Sequence, residues 1–392
     1  MMRHSFKLMW NQKRKYGFIL LELFVIFVVI FMTTIYMIDN LSKYFQGTGT
    51  NIDRVYYMKI SQTNEGNDIH VDFNKIRQRL AQMKSVEEAS FSYQAAPYAL
   101  GYSSRTFHYG ENLSKASLCI ADSWFPSVLQ PELKSGRWFR ADEMTAGRYI
   151  PAVINQKLAS KLFPGQDPIG KTIQDEENSY VVEGMLGQYK RRDFWSEGYV
   201  LFVPFSHWYQ HNRGSVDLLI SYPENAFPKP RKYAEVVFSV LPREQFQIVD
   251  SSRLEAVKQQ TNSNTSGDML FVVLIVGFLL FNLMLGLVGI LGYHVNQRIS
   301  EMGIRRAVGS TRPKVRGLIF MEMLVLTFMA TIPALLLVVQ IPALELMPMS
   351  WSLFIQGMLV SMAIIAIFVS ISVMYPGIVA SKIRPAVALK EE

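Results

Sequence analysis

Residues 269–293 read MLFVVLIVGFLLFNLMLGLVGILGY, without one charged side chain. A helix needs about 20 such residues to cross the roughly 30 Å of hydrocarbon in a bilayer, so this stretch reads as a transmembrane helix. Three further runs share its character. Residues 17–38 hold one charge, Glu22; the run from Leu318 to Ala343 is interrupted by Glu322; Leu353 to Val379 is uncharged. Four spans follow. A cleaved signal peptide is a poor reading of the first, because its apolar core is too long and Asp39-Asn40-Leu41 does not resemble a small-residue cleavage site. The whole chain, 49% hydrophobic and 18% charged, is greasier than an ordinary soluble protein.

Cations set the expected orientation. Arg3, Lys7, Lys13, Arg14 and Lys15 precede the first span with no acid among them. Arg298, Arg305, Arg306, Arg312, Lys314 and Arg316 lie between the second and third, opposed by Glu301, and Lys382, Arg384 and Lys390 follow the fourth. By the positive-inside rule both termini and the 294–317 loop are cytoplasmic. The long segment 40–268 is then outside. It carries 26 Lys and Arg against 25 Asp and Glu, so its net charge is only about +1. The basic balance of the chain is a topology signal and not a nucleic-acid footprint.

The expected organisation is a cytoplasmic segment 1–16, span one at 17–39, an exterior domain at 40–268 and span two at 269–293. A cytoplasmic segment 294–317, span three at 318–343, span four at 353–379 and a tail 380–392 complete it. The exterior segment is large enough for one or two packed domains. Cys119 is the one cysteine of the chain, so no intrachain disulfide can staple it, which suits a bacterial periplasm. Val55–Ile60, Tyr180–Gly184 and Val216–Ile220 alternate as strands do. Ile76, Leu80 and Met83 share one helix face, and Gln156–Phe163 reads as another short helix. The fold class is an α-helical membrane protein with a mixed α+β domain inserted between its first two spans. Residues 40–50 and 254–268 are candidate helical continuations of those spans, limited by Gly47-Thr48-Gly49-Thr50 and by the polar run Asn262–Gly267.

Residues 165–172, GQDPIGKT, satisfy the phosphate-loop pattern. A working phosphate loop follows a buried strand and opens a helix, so that N–H groups and the helix dipole face the phosphates. Here a helix-like segment precedes and a strand-like one follows, and Pro168 removes an N–H. The segment reads as a turn into a strand. His207 and His211 stand at i, i+4 but lack a third ligand nearby, so they read as surface or packing residues rather than a zinc site. No nucleophile signature is present. Catalytic, cofactor and metal sites are not expected. Glu22 and Glu322 are costly inside spans; the favoured reading takes each to the headgroups or an inward crevice, and the alternative is a packing contact with another subunit.

Residues 298–323, RISEMGIRRAVGSTRPKVRGLIFMEM, join spans two and three. Ile304, Ala307 and Val308 make a small apolar helix face, and Glu301 precedes Arg305 at the favourable i, i+4 spacing. Gly309 is a natural helix stop, Ser310 or Thr311 can cap the next helix, and Pro313 fits its first turn. Contact with anionic lipid needs no such defined corner. A structured protrusion suits docking of a protein partner better.

With these features the chain resembles the MacB/FtsX-type ABC transporter permeases over essentially its whole length. Arg298–Arg312 is close to the family pattern R-x-x-E-I-G-I-R-R-A-[IVL]-G-A-[ST]-R, with Met302 and Ser310 as mild departures. Leu162–Ile173 resembles an ectodomain motif of the family, and Ile383–Leu389 its C-terminal R-P-x-x-A-L. The resemblance implies a coupling helix after span two that docks on a cytoplasmic ATPase, with Arg298, Glu301, Met302, Gly303, Ile304, Arg305, Arg306, Val308, Gly309 and Arg312 as its residues. It implies two permease subunits, a second copy or a homologue, with an ATPase pair that binds ATP and magnesium. It also implies a porter-like part at about 51–105 and 215–265 split by a lobe at 106–214. Only 16 residues precede span one, so the ATPase is expected on a separate chain. The leading expectation is a mechanotransmission permease exporting periplasmic substrates through an adaptor and outer-membrane channel. Lipoprotein release, control of cell-wall hydrolases and, from another class, a four-span sensory receptor are the alternatives.

Overall fold

The computed structural model describes residues 13–63, 71–99, 101–140, 149–206, 215–297, 304, 307–347 and 349–381. The described residues start with helix α1 (Lys13–Phe45), then β1 (Val55–Gln62), α2 (Phe73–Ala81), β2 (Glu88–Tyr93), β3 (Ser103–Tyr109) and β4 (Asn112–Ala121). Next come α3 (Phe125–Leu129), β5 (Leu133–Gly136), β6 (Ile150–Asn155), α4 (Gln156–Leu162), β7 (Thr172–Gln174), β8 (Ser179–Leu186) and β9 (Val200–Pro204). The last are β10 (Val216–Ser221), α5 (Pro230–Phe238), β11 (Phe246–Arg253), α6 (Leu254–Gln297), α7 (Arg312–Val338), α8 (Gln340–Ala343) and α9 (Trp351–Ser381). They fall into two units, Met1–Leu41 with Ser266–Glu392, and Ser42–Thr265.

Among the described residues, four helical stretches are long and apolar enough to cross a membrane: Leu20–Phe45, Leu254–Gly289, Arg312–Ala343 and Trp351–Val379. In the first unit, Phe27 and Phe31 of α1, Leu283 and Leu287 of α6, Met323 and Leu326 of α7, and Ile365 and Val369 of α9 are buried together. Lipid gives helices no hydrophobic reason to associate, so close fit must hold them. Gly357 of α9 is one such place: a Cβ there would lie 2.6 Å from Ile35 Cγ1 of α1. The hydroxyls of Ser361 and Ser372 donate to the carbonyls of Gly357 and Phe368 at 2.6 and 2.7 Å, which satisfies them within their own helix. The helices overrun the apolar stretches. α1 stops at Phe45, before Gly47 at φ +69, whereas α6 continues without a break through Asn262–Gly267.

The second unit holds an eleven-stranded sheet ordered β11-β1-β10-β2-β4-β3-β7-β8-β6-β9, with β5 on β8. Its first four strands interleave two β-α-β units, β1-α2-β2 and β10-α5-β11, with β10 antiparallel between β1 and β2. This is the split arrangement of ferredoxin-like folds. The strands β4, β3, β7, β8, β6 and β9 form a ring, because β9 returns to pair parallel with β4. A closed sheet has no bare edge to recruit another strand.

The expected lobe boundary at residue 105 falls inside β3. That strand pairs with β4 from Ser103 to Tyr109, so it belongs to the ring, and the two parts meet between Tyr93 and Ser103. Among the described residues, β2 and β4 pair at Ser92 with Ala121 and at Tyr93 with Ile120. Successive residues of β1 serve two cores. Tyr56, Met58 and Ile60 join Ile76 and Leu80 of α2 and Tyr233 and Val237 of α5, while Val55 and Tyr57 face Phe125, Leu129 and Phe202. Each fully buried side chain of this kind contributes about 1.5–3 kcal/mol.

Candidate functional site

The corner before α7 begins with a helical turn, in which the Val308 N–H donates to the Ile304 carbonyl at 3.0 Å. Gly309 then takes φ +97, a left-handed conformation that any side chain would strain. α7 restarts at Arg312 with Thr311 at its N-cap and Pro313 in its first turn; the Thr311 hydroxyl makes no cap hydrogen bond. Ile304 and Val308 stand one turn apart on one face and are 48% and 83% exposed. Arg312 is exposed beside them. Arg298, Glu301, Met302, Gly303, Arg305 and Arg306 lie outside the described residues, as do His207, His211 and Ile383–Leu389.

Within the spans, Glu22 of α1 is half-buried. Its carboxylate oxygens lie 3.3 Å from where a Cβ on Gly286 of α6 would sit, so the acid packs against a glycine of the second span in the same chain. Its Oε2 is buried and has no hydrogen-bond partner among the described residues. Glu322 is half-buried on α7.

The phosphate-loop lookalike is a hydrogen-bonded turn between α4 and β7. The Asn155 side chain caps α4 by accepting from the Leu158 N–H at 3.2 Å. After Phe163, the N–H groups of Gln166, Gly170 and Lys171 donate to Phe163, Val182 and Pro168 carbonyls at 3.0, 2.8 and 3.1 Å. N–H groups committed in this way do not cradle a phosphate. Lys171 Nζ bonds Gln166 Oε1 and sits 5.4 and 5.5 Å from the Tyr109 and Phe163 ring centroids.

A second arrangement lies within the unit Ser42–Thr265, which includes the last turn of α1 and the first turns of α6. Lys190 is 1% exposed, and its Nζ donates to the Lys43 carbonyl at the end of α1 at 2.5 Å and to the Asp193 carbonyl at 2.9 Å. The Asp193 carboxylate, on a residue only 2% exposed, accepts from the Tyr98 hydroxyl at 2.9 Å and from Asn262 of α6 at 2.6 Å. Lys258, one turn before Asn262 on α6, lies 3.3 Å from it. Burial holds the Lys190 ammonium below its ordinary range, with the nearby Asp193 and Glu197 pulling the other way. Burial and then the bond to Asp193 push the Tyr98 phenol well up. The loop 190–193 thus grips the last turn of α1 and the first turns of α6. From sequence alone, Lys-Arg-Arg-Asp at 190–193 is a dense charge run, and such runs ordinarily read as solvated surface.

Two family models match successive parts of the chain. The model of the MacB-like periplasmic core domain matches residues 24–237, and that of the FtsX-like permease C-terminal domain matches residues 271–385. A "Macrolide export ATP-binding/permease protein MacB" of Neisseria gonorrhoeae is 26% identical over 235 residues, 58% of this chain and 35% of that protein. One of Aggregatibacter actinomycetemcomitans is 22% identical over 53% of this chain and 32% of its own length. The "Uncharacterized ABC transporter permease YknZ" of Bacillus subtilis is 25% identical over 56% of this chain and 55% of its own. The aligned part is therefore about a third of the length of those MacB relatives and about half of YknZ. Among solved structures, the periplasmic region of MacB from Actinobacillus actinomycetemcomitans aligns at 16% identity and a TM-score of 0.38, covering 55% of this chain and 95% of that one.

Proposed function

Because the chain belongs to the MacB/FtsX-type ABC transporter permeases, we propose that it couples ATP hydrolysis by a partner ABC ATPase to movement of its extramembrane unit. The cation-rich 294–317 loop faces the cytoplasm in this reading, with both termini on the same side. Two permease subunits and two ATPase subunits form the working assembly. ATP and magnesium belong to the ATPase and not to the turn at 165–172. The movement drives export of substrates from the exterior side through an adaptor and outer-membrane duct, in line with the macrolide export in the names of the MacB relatives.

The observation that carries the reading is the corner. Ile304 and Val308 present apolar side chains outward, beside a glycine-fixed turn at the base of a spanning helix. Arg298, Glu301, Met302, Gly303, Arg305, Arg306 and Arg312 complete the docking surface, with the charges setting register against the ATPase. Removing two apolar anchors at about 1.5–3 kcal/mol each weakens such a contact by tenfold or more. The test is Ile304→Asp combined with Val308→Asp in the full chain. The permease should insert and its exterior unit fold, while co-purification with the ATPase and permease-stimulated ATP turnover fall by at least about tenfold. Undiminished co-purification and turnover would overturn the assignment.

A further inference from the structure

Where α1 leaves the apolar run, an aromatic and basic cluster gathers that neither the corner nor the tie uses. Tyr44 and Phe45 end the helix, and Phe45 is 80% exposed. The Phe194 ring stacks on Tyr44 at 5.3 Å. Trp195, 43% exposed, meets Tyr102, 64% exposed, edge to face at 6.4 Å, and the Arg192 guanidinium lies 4.5 Å from the Trp195 ring centroid. Three segments build the cluster rigidly. Lys190 fastens the loop to the Lys43 carbonyl, and Arg191 Nη2 donates to the Gly101 carbonyl at 2.7 Å, which holds the Tyr102 turn beside it.

We propose that this cluster is a membrane-surface foot, with Phe45, Tyr102, Trp195 and Arg192 seated in the headgroup layer of the leaflet that α1 enters. The position follows from the helix itself. The apolar run ends at Ile38, and seven residues at 1.5 Å per residue bring Phe45 about 10 Å further along the axis. The headgroup zone on each face is about 5–8 Å deep. Helical side chains lean toward the N-terminus, so Tyr44 and Phe45 lean back toward the span and into that zone. Because the loop is fastened at Lys43, Trp195 cannot stand far from it. The chemistry matches the place as well. Tyrosine and tryptophan pair an apolar body with a polar handle and form belts at bilayer surfaces, while Arg192 and Lys43 suit anionic phosphate. In water, the same exposed rings would leave their apolar surface hydrated.

This inference needs α1 to span the membrane but not the docking of an ATPase, so the two fail separately. The test uses the full chain, Cys119→Ser, in nanodiscs of phosphatidylethanolamine and phosphatidylglycerol, with a nitroxide on Trp195→Cys. Tyr102→Cys serves as a second site, and Phe227→Cys, at an exposed position, as the reference. Oxygen accessibility relative to a water-soluble nickel reagent should be about threefold higher at 195 and 102 than at 227, as an interfacial position requires. Adding Arg192→Gln should shift the label at 195 outward in phosphatidylglycerol and leave it unchanged in phosphatidylcholine. Labels as open to nickel as at 227 would overturn the proposal. So would labels shielded from both reagents, which would indicate a protein cover.

Discussion

The corner at 304–312 and the tie at 190–193 handle their side chains in opposite ways. At the corner, Ile304 and Val308 leave apolar groups exposed among the described residues. At the tie, Lys190 and Asp193 bury charge, and their partners come from α1, from the Tyr98 turn and from α6. Exposed apolar groups on a fixed corner gain stability only from another molecule, whereas buried charges are tolerable only when their own chain surrounds them. The first pattern suits the docking surface proposed above, and the second suits an internal tie.

Asp193→Ala is the strongest way to break this contrast. It orphans the buried Tyr98 hydroxyl and leaves Asn262 and Lys258 without their acceptor, at a cost of about 3 kcal/mol to the exterior unit. Chemical unfolding of the full chain in detergent should show the loss, and Asp193→Asn should restore a good part of it. An unchanged midpoint for Asp193→Ala would mean that the joint bears no strain. At the corner, Gly309→Val forces a β-branched residue into left-handed backbone, a penalty of about 1–2 kcal/mol. Permease-stimulated ATP turnover should drop about fivefold, with the unfolding midpoint of the exterior unit unmoved.

The buried side of the comparison can be sharpened by titration. Burial pushes the Asp122 carboxyl up to about 7, opposed by hydrogen bonds from the Phe91 N–H and the Ser90 hydroxyl, and pushes Asp217 up to about 6. Folding therefore favours their protonated forms. The resulting stabilisation is present below about pH 4 and is lost as pH rises through 6 to 7, by about 1 kcal/mol or more. Unfolding free energies from pH 4 to 8 should carry that slope, and Asp122→Asn should flatten it. The smallest effect is expected at the turn. Lys171→Ala removes a contact to Gln166 and two aromatic faces, so ATP turnover of the assembled complex should match that of the wild type. A collapse of nucleotide binding in an intact complex would restore the phosphate-loop reading.

The two regions were unequally legible. The spans, Gly309 and the Ile304–Val308 face are local patterns, in which a few neighbouring residues carry the whole signal. The strands Val55–Gln62, Ser179–Leu186 and Val216–Ser221 were legible for the same reason. The tie was not, because Asp193 meets Asn262 across 69 residues and Lys190 meets Lys43 across 147. Nothing near Lys190 in sequence says that its charge will be covered. The parallel return of β9 to β4 was hidden by the same long separation, and with it the ring that draws β3 across the expected lobe boundary.

α6 is one unbroken helix of 44 residues, about 66 Å long at 1.5 Å per residue. Roughly 30 Å of that crosses hydrocarbon, and the helix runs on through the polar stretch Asn262–Gly267. A long helix magnifies angle into distance. Pivoted at one end, a tilt of about 5° sweeps the other end of such a helix through about 6 Å, more than one full helical pitch.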